Sequence, residues 1–580
     1  MTEFDRRTLF KGAGALGAAA AVGAATSKAA PLAYADPAVG ARAVSIAGTT
    51  LEAVGTPAST GVRQYRRLTA GAGWPLIVRS ELAAAKAGRD DRRIGLASIV
   101  QTTDIHMVDA ESPVRLEFIH PQNGSAFRPH EKLGAAATVT LIERINALGS
   151  APFNGRAFDC VVSTGDNTDN HEFAELDWFL TLFSGGSLQQ STGDLNRYEG
   201  VQVWGSTLYW QPESSVDDIY KQKGFPQIPG LLSSSIKPIS SPGLDTRWFS
   251  VFGNHDDSVS GVVPSGIGFI DALYTGNIKL DVPKNQAAID RVATAYNTAP
   301  GSVAKVLAEQ VQTGPIRRVT PDARRAPFTP RQYMAEHFRP RYTGPGPVGH
   351  GFASHAPQSG ITYYSFQIAP GVIGISMDTT NHAGLTDGSI GQVQLDWMEK
   401  LIIAGSRKYH DRSGKLVTHE ADDTLFVAFS HHTSDTMGLP IPDPEHPFER
   451  RNTGAQLLDF FHRFPNVVAW VNGHTHENKI TPHRGRTAAQ SFWEINTASH
   501  IDFPQNARVI EVNDNKDGTL SVFCTLIESA APYEVAYSDH SVTGLGSMYR
   551  EFSYNDTGYD PKRLGTSVDH NVELLLVKPN

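Results

Sequence analysis

One repeated pattern limits what this chain can fold into. Five times, a short apolar run stops at residues of metal-ligand type. The last instance shows it best. Val467-Val-Ala-Trp-Val has the look of a buried strand, the chain breaks at Gly473, and His474-Thr-His476 follows. A His-x-His pair at a strand's end can turn both imidazoles into one cavity. Residues 94–103 run in the same way into Asp104-Ile-His106, and residues 158–164 into Gly165-Asp166-Asn-Thr-Asp169. Residues 248–252 run into Gly253-Asn254-His255-Asp256, and residues 424–430 into His431-His432. Each fragment alone is an ordinary turn. Five in one chain ask for strands whose ends converge.

The residue types say what would converge. Gly165 permits a tight turn, after which Asp166 can bridge two cations through its two oxygens. Asn254 offers a neutral amide oxygen. His255 beside Asp256 has the makings of an oriented acid.

Asp-x-His, Gly-Asp-x-x-Asp, Gly-Asn-His-Asp, a strand-end His and Gly-His-x-His together resemble the calcineurin-like metallophosphoesterase superfamily, over residues 94–525. The resemblance implies an α/β fold, a two-sheet β-sandwich flanked by helices, with long insertions. It implies Asp104, His106, Asp166 and His476 on one metal, and Asp166, Asn254, His431 and His474 on the other. His431 is preferred to His432 because the family pattern is His-x-Pro. Here Thr433 stands in place of the proline, so His432 stays open as the alternative.

The chemistry follows from the donors. Two divalent cations against two carboxylates and one bridging hydroxide leave about one positive charge, which favours an anionic substrate. Metals about 3.5–4 Å apart lower the pKa of bridging water toward about 7 and clamp an in-line displacement at phosphorus. His255, uncommitted to a metal, is the expected leaving-group acid, with Asp256 or Asp169 orienting neighbouring groups. Mixed nitrogen and oxygen donors suit two Mn, Fe or Zn ions. The expected activity is hydrolysis of a small phosphate ester. The alternatives are a phosphodiesterase on nucleotides or lipid head groups and a non-catalytic metal-binding surface protein.

Residues 1–35 have the anatomy of an export signal. Arg6-Arg7 precede an Ala/Gly-rich middle, and Ala33-Tyr-Ala35 offers a small-x-small cleavage site. The paired arginines resemble a twin-arginine signal, which implies the twin-arginine export machinery as a partner and a secreted or envelope-associated product. No transmembrane anchor is expected after cleavage. That segment carries four basic and two acidic residues, so its removal leaves 47 basic and 58 acidic ones, with no nucleic-acid footprint.

Cys160 and Cys524 lie in apolar runs and are expected as buried thiols, a single bridge between them remaining open. Residues 36–93 are expected as an N-terminal appendage, with β-like pieces at 43–46 and 61–68 and a helix around 79–86. The catalytic domain spans 94–529, with insertions at about 184–247 and 259–360, and 530–580 form an extended C-terminal wrap. Helices are expected near 172–183, 287–295 and 455–463, and two or three strands within 492–526. The insertions, with Tyr198, Trp204, Tyr209 and Trp210 in the first, serve either as a lid or as cover for sheet edges. Arg317-Arg318 and Arg324-Arg325 are expected on a solvated surface. Asp378, Asn381 and His382 end another strand and are expected to line the cleft.

Overall fold

The computed structural model describes residues 42–579 apart from 265, 267 and 299. The signal-like segment 1–35 lies outside the described residues. The thirteen strands of the two large sheets are numbered here in chain order.

The first sheet holds β1 (Leu76–Arg79), β2 (Ile94–Thr102), β3 (Cys160–Ser163), β4 (Trp248–Ser250), β11 (Ala507–Asp514), β12 (Thr519–Ile527) and β13 (Asn571–Val577). The second holds β5 (Tyr364–Ala369), β6 (Val372–Ser376), β7 (Leu425–Phe429), β8 (Val467–Asn472), β9 (Lys479–His483) and β10 (Phe492–Asn496). The spatial orders are β1-β13-β12-β11-β2-β3-β4 and β5-β6-β7-β8-β10-β9.

Each sheet has a parallel block, β2-β3-β4 in one and β6-β7-β8-β10 in the other. Strands β3, β7 and β8 are buried along their whole length, as parallel strands covered on both faces must be, and β2 is buried from Ala97 onward. Register aligns their ends: Thr102 faces Ser163, Ser163 faces Ser250, and Phe429 faces Val471. The polar turns after them therefore leave from one edge.

A single apolar cluster joins the sheets, taking Ile99, Val161 and Val509 from one and Val427, Ala469 and Ile495 from the other. It extends to helices α1 (Gly134–Leu148) and α2 (Phe173–Ser184) on the first sheet. Helices α5 (Gln392–Ala404) and α6 (Gly454–Phe461) pack on the second through Leu395, Met398, Leu457 and Phe461. The expected two-sheet sandwich flanked by helices is present. The second insertion carries α3 (Gln286–Thr298) and α4 (Pro300–Thr313) around their own small core. Among the described residues, no helix is long and apolar enough to cross a membrane.

Several local expectations change. Residues 79–86 are not helical: Arg79 closes strand β1, and its guanidinium is spent on Glu81 and the carbonyls of Ile480 and Val568. The β-hairpin there is Ala53–Val62 with Tyr65–Ala72, and residues 43–46 form no strand. Residues 530–580 are more than an extended wrap. They contain α7 (Val542–Asn555) and β13, which sits inside the sheet between β1 and β12. Gly544 and Gly546 weaken the local helix signal, yet Gly546 is what lets α7 lie against Thr140 of α1. Cys160 and Cys524 are buried free thiols, so the bridge left open is not formed.

Candidate metal centre

Every ligand-type residue leaves the carboxyl end of a parallel strand: Asp104 and His106 after β2, Asp166 after β3, Asn254 after β4, His431 after β7, and His474 and His476 after β8. The turns that bend them inward are strained. Asp104, His106, Asp166, His474 and His476 all have positive φ, between 44° and 71°. Left-handed backbone at non-glycine residues is uncommon, costs about 1–3 kcal/mol each, and concentrates at functional sites. Glycine appears where even that is insufficient. Gly165 has φ +91°, and a Cβ there would stand 2.8 Å from His431 Nδ1. A Cβ on Gly473 would stand 1.9 Å from Thr103 Oγ1.

The side chains converge in three overlapping groups: Asp104 with His106 and His476, Asp166 with His431 and His474, and His106 again with Asp169 and His255. His476 Nε2 lies 3.2 Å from Asp104 Oδ1. Asp166 Oδ2 lies 3.0 Å from His431 Nε2 and 3.7 Å from His106 Nε2, so one oxygen reaches the first and second groups. His474 Nδ1 faces His431 Nε2 at 3.2 Å.

The far ring nitrogens are fixed. His106 Nδ1 donates to Asp169 Oδ1 at 3.0 Å, His476 Nδ1 to Asp502 Oδ2 at 2.7 Å, and His431 Nδ1 to the Thr164 carbonyl at 2.9 Å. Each bond leaves Nε2 as the inward atom, the arrangement by which outer carboxylates and carbonyls orient metal-binding imidazoles. Asn254 donates its amide to Gly261 O, which turns Oδ1 inward.

Two of these inward atoms, His106 Nε2 and Asn254 Oδ1, are buried without a hydrogen-bond partner. Buried acceptors normally find one, and a cation supplies what both need. Burial, aided by neighbouring imidazoles, drives His106 down to about 4 and His474 down to about 3, keeping their lone pairs free. Burial opposes charge on Asp104 as well, yet His476 beside it holds that carboxyl down at about 2. Burial also works against charge on His431 and His476, but Asp166 beside the first and Asp104 beside the second outweigh it, raising His431 to about 9 and His476 above its ordinary value. Ionised carboxylates, imidazole nitrogens turned inward and an orphaned amide oxygen fit two hard or borderline cations.

His431 rather than His432 enters the cluster. Both nitrogens of His432 are taken, Nδ1 by Thr379 Oγ1 at 2.8 Å and Nε2 by Thr386 O at 3.0 Å. His255 packs edge-on against His106, with ring centroids 4.4 Å apart. Its Nδ1 donates to the Asp169 carbonyl at 2.9 Å, and its Nε2 lies 4.0 Å from Asp166 Oδ2. Burial works against charging His255, but Asp166 and Asp169 outweigh it and raise its pKa to about 9.

Asp256, expected beside His255 in the catalytic set, does not join it. Its carboxylate accepts from the backbone N–H groups of Gly253, Asn167 and Thr168, tying two ligand loops together. Asp169 orients the imidazoles instead. Asp502, 26 residues beyond His476, went unnoticed in the sequence, although it follows strand β10 just as the other ligands follow theirs.

His382 is held by Asp443 at 3.0 Å and stands 3.5 Å from Asp257, while Asn381 donates to the carbonyls of Leu439 and Ile441. Asp378 accepts from Thr362. Tyr198, Tyr209 and Trp210 are buried, the latter two in one apolar cluster with Tyr549 and Phe552 of α7, while Trp204 of the same stretch is half-buried at its edge. Arg325 is fully buried against Asp109 and Thr192 rather than solvated.

No family model and no curated protein matches the sequence. Among solved structures, the chain is similar to a dimetal phosphatase from Danio rerio, at 10% identity and TM-score 0.32, over 75% of this chain and 100% of that one. It is also similar to a purple acid phosphatase from yellow lupin seeds, at 10% identity and TM-score 0.26, over 82% of this chain and 57% of that one. A third is a calcineurin-like phosphoesterase from Bacillus subtilis, at 12% identity and TM-score 0.22, over 80% of this chain and 99% of that one. All three likenesses are distant.

Proposed function

We propose that this chain is an exported, metal-dependent phosphoric ester hydrolase with two metal ions, Mn, Fe or Zn, in the Asp166 cluster. The observation that carries it is the pair of donor sets sharing Asp166 Oδ2, with His106 Nε2 and Asn254 Oδ1 left unpartnered beside it. Divalent ions held there supply Lewis-acid charge to phosphoryl oxygens and acidify water.

The chain's own residues do the rest. Asp104, His106 and His476 hold one position, and Asn254, His431 and His474 the other. Asp169 and Asp502 fix the tautomers of His106 and His476, so each presents a lone pair inward. His255 is pinned through Nδ1, which leaves Nε2 to give a proton to the departing oxygen. Arg6-Arg7 and Ala33-Tyr-Ala35 support export by the twin-arginine route, which fusion of residues 1–35 to a reporter would check.

His255→Ala tests the assignment. A general acid is worth about 10²–10⁴-fold, and only when the leaving group is a poor one. Hydrolysis of alkyl phosphates should fall by that much, while p-nitrophenyl phosphate, with its acidic leaving group, falls far less. Metal content should match that of the unmutated protein. Equal losses on both esters with metals intact would remove His255 from the role. No hydrolysis of any phosphate ester by Mn²⁺-, Fe²⁺- or Zn²⁺-loaded protein would end the hydrolase reading.

A further inference from the structure

Residues 530–580 lie beyond the ligand motifs, yet one turn of them reaches the metal centre. The 3₁₀ turn Pro561–Leu564 is seated on the chain just after His476. Asn478, two residues beyond that ligand, donates its backbone N–H to Arg563 O at 3.0 Å and its side-chain amide to Leu564 O at 3.4 Å. Gly565, at φ +70°, permits the close approach, since a Cβ there would stand 2.2 Å from Asn478 O.

The side chain of Arg563 goes further. Its Nη1 lies 3.1 Å from Asp502 Oδ2, the same oxygen that accepts from His476 Nδ1 at 2.7 Å. Arg128 grips that carboxylate with its fork, Nε on Oδ1 at 2.8 Å and Nη2 on Oδ2 at 3.2 Å. Asp502, 3% exposed, therefore serves one imidazole and two guanidiniums.

These holders are needed because the link is soft at both ends. The ring of His476 and the carboxylate of Asp502 each turn about a broad, roughly two-fold torsion. Where His476 Nε2 points is thus set by what holds Nδ1, and Asp502 must itself be held. Arg128 ties Asp502 to its own segment, where it also donates to Ser125 O at 3.1 Å. Arg563 ties Asp502 back to the loop that bears His476, by its side chain to the carboxylate and its main chain to Asn478. The other metal position has its outer partners within the motif region: His431 donates to Thr164 O, and Asn254 to Gly261 O.

We propose that Arg563 is a positioning residue for the metal position held by Asp104, His106 and His476. The C-terminal turn completes that position and leaves the one held by Asn254, His431 and His474 untouched. The assignment rests on the two-metal reading and says which outlying residue one of the two ions depends on.

Metal binding tests it without turnover. Mn²⁺ is titrated into metal-free full-length protein against a competing chelator. Arg563→Ala should weaken one of the two ions by about 10–100-fold, the loss that partners of metal ligands cause, and leave the other unchanged. At a Mn²⁺ level that fills both positions in the unmutated protein, the electron paramagnetic resonance spectrum should change from a coupled pair to an isolated ion. Arg563→Lys keeps a cation beside Asp502 and should recover part of the affinity. Lys562→Ala, exposed in the same turn, should change neither ion. The urea midpoint of metal-free Arg563→Ala should stay near that of the unmutated protein, because Arg128 still pairs with Asp502. Unchanged affinity at both positions overturns the assignment. So does equal weakening of both, with or without a drop in the urea midpoint, and so does an Arg563→Lys variant as weak as Arg563→Ala. Fewer than two Mn²⁺ on the unmutated protein removes the two-metal reading and the assignment with it.

Discussion

Two regions of this protein bury charge, and they do so in opposite ways. Between the Asp104 turn and helix α1, residues 109–132 form a belt in which each cation meets a carboxylate. Lys132 meets Glu111 at 2.7 Å, Arg115 meets Glu131 at 2.5 Å, Lys279 meets Glu117 at 2.6 Å, and Arg325 meets Asp109 at 3.3 Å. In the ligand cluster next to it, Asp104 and Asp166 face imidazoles, and two acceptors face nothing. The belt pairs each of these charges with the protein's own side chains, leaving Arg325 Nη2 as an unpartnered donor, which makes it architecture. The cluster has left its electrostatics open, and a group brought from outside must close them. Asp169 joins the two, with Oδ1 on His106 and Oδ2 3.9 Å from Arg115.

The largest effect should come from the open region. Asp166→Asn removes the oxygen shared by both donor sets, so the content should fall from about two metal ions per chain to well below one. Elemental analysis of folded protein checks this, and hydrolysis should vanish with the metal. Two ions retained by the variant would break the bridging role.

In the closed region, Lys132→Met strands Glu111, and losing one partner of a buried pair costs about 3–5 kcal/mol. Urea unfolding should show that loss, while metal content per folded chain stays unchanged. The reverse outcome, metal lost with stability intact, would show the belt to be part of the site.

A third kind of buried charge sharpens the contrast. Glu511 makes no salt bridge among the described residues; its carboxylate accepts from the N–H groups of Phe153 and Asn154, and Arg93 acts on it only at a distance. Burial raises its pKa to about 7 from 4.5. The folded state therefore holds that proton more tightly than the unfolded one. Its stabilising contribution is complete below about pH 4.5 and is lost as pH rises through about 7, a swing of up to about 3 kcal/mol. Glu511→Gln should flatten stability between pH 4.5 and 7, as measured by unfolding at several pH values. An unchanged slope would assign that pH dependence elsewhere.

The smallest change is expected at the junction. Asp169→Asn keeps the shape but weakens the grip on His106, and such orienting partners are worth about 10–100-fold in metal affinity. Metal titration should show the loss confined to the position held by His106. Equal weakening of both positions would mean that Asp169 supports the loops rather than one ring.

Much of the centre was legible because each ligand lies within a few residues of its strand. Asp104, Asp166, Asn254, His431 and His474 leave β2, β3, β4, β7 and β8 directly, so strand pattern and residue type sufficed. Helices α2, α3 and α6 were legible for the same local reason, each with apolar residues at helical spacing. The helix α7 was not, because its glycines earn their place only through contact with α1.

The sequence by itself determined which side chains stand at the ends of the parallel strands, since covalent order and apolar runs are local facts. Tertiary structure alone decided what each of them touches. His432 is excluded by Thr379 and Thr386, 53 and 46 residues away, and of the two carboxylates left open in the sequence it is Asp169, 63 residues beyond His106, that holds that ring. Arg325 is drawn inward to an aspartate 216 positions earlier. A hydrogen bond needs its partner within about 3 Å, and only the packing of distant segments sets that distance.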